Sequence, residues 1–111
     1  RLQSRPKPPT AIFACNDDMA AGAIAAAQQA GLRVPQDVSI VGFDDTANAS
    51  ALWPPLTTVR QPIRDMASSA IEILARRVAQ SKAKTTLSTE NLTLDHELVI
   101  RQSATAPTQI D

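Results

Sequence analysis

Apolar positions along this chain fall into short runs of β-formers separated by longer stretches of helical spacing. Residues 11–15 (AIFAC) make a short apolar run, expected as a strand buried on both faces. Asn16 is a good helix N-cap, with Asp17 and Asp18 in the first turn, where the helix dipole favours negative charge. The helix then spans residues 17–30 on its alanines; Gly31 stops it and Pro35 bars continuation. Residues 38–43 (VSIVGF) form the clearest strand, rich in β-branched side chains. Strand, helix, strand is a βαβ unit, whose right-handed crossover joins parallel strands and brings both C-terminal ends to one edge. Past that edge come Asn16-Asp17-Asp18 and Gly42-Phe43-Asp44-Asp45-Thr46. Open parallel sheets bind small ligands at that edge.

Downstream, residues 46–52 are expected as a short helix capped by Asp45 or Thr46 and ended by Trp53-Pro54-Pro55. Residues 56–61 read as a strand stopped by Pro62. A second helix over residues 63–79 lines up Ile63, Met66, Ala67, Ala70, Ile71, Leu74 and Val78 opposite Arg64, Asp65, Ser68, Glu72 and Arg76. Residues 81–89 are polar, a linker; residues 92–101 read as a final strand; and the residues after Ser103 read as a frayed tail. The fold class is therefore α/β, a partial doubly wound parallel sheet.

Composition narrows the chemistry. The chain has 111 residues, 43% of them hydrophobic, enough for one core. Its opening on Arg1 rather than methionine suggests a fragment. Eleven basic and eleven acidic residues cancel, so the chain itself carries no polyanion-binding signature. A single cysteine, Cys15, excludes an internal disulfide framework and a thiolate metal site, and reads as a small buried hydrophobe. His96 has no second ligand nearby, so no metal site is expected. There is no nucleophile–base pair and no phosphate-cradling glycine loop, so neither catalysis nor a cofactor is expected. No apolar stretch reaches membrane-spanning length, and the expected location is cytoplasmic.

Four blocks in order carry a family resemblance. They are PTAIFACNDDMA (residues 9–20), GLRVPQDVSIVGFDDT (31–46), PPLTTVRQP (54–62) and ELVIR (97–101). Together they resemble the effector core of lactose/galactose-repressor (LacI/GalR) transcription regulators, over nearly the whole chain. The resemblance implies a type I periplasmic-binding-protein-like fold of two subdomains, of which this chain is the C-terminal third. It implies residues 1–62 in the C-terminal subdomain and residues 63–90 crossing into the N-terminal one. Residues 91–103 would return as a strand, and residues 104–111 would be a disordered tail. Such regulators hold a small-molecule effector, sugar-like in many members, in the inter-subdomain cleft. They reach DNA only through an N-terminal head that these residues lack.

By that resemblance Asn16, Asp44 and Gln61 are the effector-binding candidates. Each has a plainer role to weigh: helix cap for Asn16, solvated loop acid for Asp44, hinge residue for Gln61. Asp17, Asp18 and Asp45 read as structural. Ile63 stands where sugar-responsive members often place an aromatic ring, and an isoleucine cannot stack on a sugar face. Trp53, with Leu52, is expected at a dimer interface. The stripe of the second helix is expected to pack on another copy, or to be exchanged between chains over residues 63–79. A solute-binding component of an ABC-type transporter would share the fold, and a sugar-metabolising enzyme fragment is a weaker reading.

Overall fold

The computed structural model describes residues 8–83 and 91–107. Their elements run β1 (Ala11–Phe13), α1 (Asp17–Gln29), β2 (Ser39–Val41), β3 (Thr58–Arg60), α2 (Ile63–Lys82) and β4 (Glu97–Val99). The chain divides into two compact units, one holding the described residues up to Arg60 and from Glu97 onward, the other Gln61–His96.

In the first unit β1 pairs parallel with β2, with Ala11 opposite Ser39 and Phe13 opposite Val41. Parallel bridges join Val41 to Thr57 and Asp44 to Arg60, and β3 pairs antiparallel with β4. The expected βαβ unit is present. Its core gathers Ala20, Ile24 and Ala27 of α1 with Val38, Ile40, Ala49 and Leu56. Alanine on the helix lets it lie close to the strands, and Asp17 shares that buried stripe at a spacing of three and four. Gly31, at φ 76°, ends the helix in the left-handed conformation that suits glycine.

Only one face of β1 is covered. Ile12 packs against the core, but Ala11 and Phe13 are exposed, so β1 is not buried on both faces as its composition suggested. β1 also stops at Phe13, which leaves Cys15 beyond the strand and exposed rather than buried.

Residues 46–52 are turns rather than a helix. Ala49 N bonds Thr46 O and Ala51 N bonds Asn48 O, both three-residue steps, and Ala49 is wholly buried. The final strand is short, and the chain after it is held by hydrogen bonds as far as Thr105. Gln102 N donates to Pro55 O and Ile40 N to Ser103 O. The buried Ser103 hydroxyl donates to Ile40 O and accepts from Thr57 N at 2.8 Å. Thr105 N donates to Ser39 Oγ at 3.1 Å. This segment wedges between β2 and the residues preceding β3, satisfying backbone groups that would otherwise be orphaned. Residues 108–111, the end of the expected tail, lie outside the described residues.

In the second unit α2 runs to Lys82, through the first residues of the expected linker; residues 84–90 lie outside the described residues. None of its residues is buried. Ile63, Met66, Ile71, Leu74 and Val78 are all exposed, while Ser69, Ile73, Arg77 and Gln80 are half-buried. The apolar stripe read from the periodicity therefore exists and stands uncovered.

Candidate functional site

The pairing that sets Ala11 opposite Ser39 ends at Phe13 and Val41, and Asn16 and Asp44 are each the third residue beyond those ends. Ala14 N donates to Val41 O at 2.8 Å, so the two chains are still side by side as they leave the sheet. The amide and the acid thus leave the same edge of the first unit. Gln61 opens the second unit, where its carbonyl accepts Ile63 N at 2.9 Å.

Asn16 has extended backbone geometry, and its Oδ1 accepts Met19 N at 2.7 Å. It caps α1, which fixes the side chain at the edge and leaves the Nδ2 amide as its donor end. Asp44 has φ 114° and Asp45 φ 54°, two successive non-glycine residues in the left-handed region. Such backbone is costly and clusters at ligand clamps. Asp44 is half-buried and donates its own N–H to Val59 O at 2.9 Å.

The turn is fastened on both sides by acids whose importance the sequence understated. Asp17 is 2% exposed and does more than complement the helix dipole. It accepts Thr46 N at 2.7 Å and Thr58 Oγ1 at 2.6 Å, tying the start of α1 to the turn and to β3. Gly42 is needed here, because a β-carbon at that position would lie 2.5 Å from Asp17 Oδ1. Asp45 is indeed structural, through ion pairs rather than by capping a helix. Arg60 Nε donates to it at 2.7 Å and Arg101 at 2.6 Å, and Arg60 also reaches Glu97 at 2.8 Å. Burial raises the Asp45 pKa, but the bonds from Arg101 and Arg60 prevail and hold it below the ordinary carboxylate value. The spacing of Asp17 with Ala20, Ile24 and Ala27 was the available sign that it faces inward. Nothing local announces the arginines, which meet Asp45 from 15 and 56 residues away.

Residues 1–104 match the family described as periplasmic binding protein-like domain. The chain belongs to that family. It is 43% identical over 103 residues to the HTH-type transcriptional repressor PurR of Haemophilus influenzae, covering 93% of this chain and 30% of that protein. Among solved structures, the lac repressor dimer bound to operator and the anti-inducer ONPF matches at TM-score 0.73 and 38% identity. That match covers 88% of this chain and 32% of that one. A complex of the transcriptional regulator CelR with cellobiose matches at TM-score 0.78 and 34% identity, over 86% of this chain and 28% of that one. The chain thus spans about 30% of the length of the curated relative it matches. The curated relatives are named as repressors, not enzymes, and the name of a further matching structure puts it in the LacI family.

Within this periplasmic-binding-protein-like piece, Trp53 is 79% exposed, whereas Leu52 is half-buried against the core. Trp53 borders a depression of about 680 Å³ with Leu32, Val34, Pro54 and Gln102, residues set apart from the Asn16–Asp44 edge. Among the described residues no cluster of His, Cys, Asp or Glu fits a metal ion, and no helix is long and apolar enough to cross a membrane.

Proposed function

We propose that this chain is the C-terminal part of the effector core of a LacI-type transcriptional repressor and supplies one wall of its small-molecule cleft. The observation that carries the reading is that Asn16 and Asp44 are each the third residue past one sheet edge, in a chain of this family. A carboxylate accepts bonds from adjacent hydroxyls, and charge-assisted bonds are the stronger kind. The Asn16 amide donates to the same guest, and Gln61 is the third candidate contact, by family resemblance alone. A sugar-like effector suits this donor and acceptor set, and the cellobiose held by CelR names the probe to try first.

Residues 63–90 belong to the N-terminal subdomain, and an effector held in the cleft of the complete protein favours one closure state over the other. It shifts operator affinity by no more than its preference between those states. Operator contact is made by a helix-turn-helix head outside these residues, which places the protein with its DNA in the cytoplasm. Trp53 and Leu52 lie at the contact of a homodimer. The uncovered stripe of α2 packs within the complete subdomain or exchanges over residues 63–79 between copies.

The test is calorimetry on the full-length protein with cellobiose and other mono- and disaccharides, paired with operator binding. Removing the carboxylate in Asp44→Ala weakens the sugar that binds by tenfold or more, about 1.4 kcal/mol, within the range of a bond to a charged group. An unchanged Kd in that variant overturns the site. A set of sugars none of which alters operator affinity overturns the sugar-effector reading.

A further inference from the structure

We propose that Asp45 is a positioning residue: with Arg101 and Arg60 it holds Asp44 in the left-handed turn that presents it at the sheet edge. The inference rests on the reading of Asp44 as an effector contact. It concerns a neighbour whose carboxylate is spent on protein partners and is 8% exposed.

Two consecutive non-glycine residues at φ 114° and 54° do not stay there unaided; their surroundings must over-determine them. Three anchors do so. Asp44 N is bonded to Val59 O and Thr46 N to Asp17 Oδ2, which fix the backbone on either side of Asp45. Between them the Asp45 carboxylate takes Arg60 Nε on one oxygen and Arg101 on the other. Arg101 is itself immobilised, donating to Leu56 O at 2.8 Å with a side chain 18% exposed. Arg60 is the last residue before the second unit and its partner Glu97 the first after it. The clamp on the turn is therefore also attached to both strands at the points where the chain leaves and re-enters this unit. With one guanidinium group on each of its two oxygens, the carboxylate is fixed in direction as well as distance.

Asp45→Asn separates this role from general stability. Asparagine tolerates the left-handed region and keeps the size of aspartate, so only the charge-assisted grip is lost. In the full-length protein, hydrogen-exchange mass spectrometry should find the peptide covering residues 43–46 exchanging at least tenfold faster in Asp45→Asn. A peptide around Ile24 in α1 should keep its wild-type rate. Uniform acceleration of both peptides, or an unchanged rate at residues 43–46, overturns the proposal. Should Asp45→Asn fail to fold, Arg101→Met is read the same way, with Arg101→Lys falling between it and wild type. Binding of cellobiose to Asp44→Ala is scored separately. An unchanged affinity there removes the functional reading of Asp44 but leaves the clamp, whereas an undisturbed turn in Asp45→Asn removes the clamp alone.

Discussion

Adding one methyl group at Gly42 and at Gly22 should move stability in opposite directions. A β-carbon on Gly42 would sit 2.5 Å from Asp17 Oδ1, 2.8 Å from Leu56 Cδ2 and 3.3 Å from Ala20 Cβ. None of the three can step aside cheaply. Ala20 and Leu56 are wholly buried, and Asp17 Oδ1 is the oxygen that accepts the buried Thr58 hydroxyl. Overpacking a close-packed core costs about 1–3 kcal/mol. Displacing Asp17 strips the Thr58 hydroxyl of its acceptor, a further cost of about 1–3 kcal/mol. Gly42→Ala therefore destabilises by roughly 2–6 kcal/mol from these two terms. At Gly22, exposed inside α1, a β-carbon meets nothing within 4 Å. There alanine removes backbone freedom from the unfolded chain and stabilises by about 0.5–1 kcal/mol. Urea unfolding of the full-length protein, followed by circular dichroism, reads both. With a slope of about 1–3 kcal/mol/M, the Gly42→Ala midpoint should fall by on the order of 1 M or more while that of Gly22→Ala rises slightly. A double variant with Asp17→Ala should cost less than the sum of its parts, because the same contact is lost twice. Midpoints that move together, or a Gly42→Ala midpoint equal to wild type, would refute the packing account of this corner.

Two further outcomes follow from the charges and the exposed ring. The folded Asp45 pKa lies below its unfolded value, so the stability it contributes is present above about pH 4 and is lost as pH falls through the folded value. Asp37, lowered to about 2 chiefly by its bond from the Arg33 side chain, behaves in the same sense. Urea midpoints measured against pH should drop less steeply on the acid side in Asp45→Asn than in wild type, and parallel profiles would contradict the ion-pair assignment. Trp53→Ala, at a residue 79% exposed, should leave the unfolding midpoint of the dissociated chain nearly unchanged. The same substitution should raise the dimer dissociation constant tenfold or more in sedimentation equilibrium; an unaltered constant would remove Trp53 from the interface.

How much of this was legible depended on the range of the interaction. The Asn16 cap and the Gly31 stop are set by neighbours within a few residues, and they and the βαβ unit stand where the pattern put them. Parallel pairing of β1 with β2 was likewise expected from the βαβ pattern, and its register ends at Phe13 and Val41. What the pattern misjudged was context. Ala11–Phe13 has the composition of a strand buried on both faces, but burial belongs to the neighbours a strand is given, and here only Ile12 finds them. Ser103 and Thr105 lack apolar periodicity, yet hydroxyl and backbone bonds hold them to Ile40, Thr57 and Ser39, an attachment that hydrophobic pattern cannot register.

The same distinction explains why the turn looked plain. Asp44 and Asp45 are adjacent, identical and in the same kind of backbone, so local sequence gives no ground for assigning one to ligand and one to structure. The structural role of Asp45 comes from Arg101, 56 residues away, and from Arg60 on β3; the ligand role of Asp44 is the reading proposed above. Substituting both acids alike would therefore give two different failures: loss of an acceptor at 44, and release of the turn at 45. That division of labour has a physical logic. A turn that holds backbone in an unfavourable region needs an anchor that remains engaged when no guest is present.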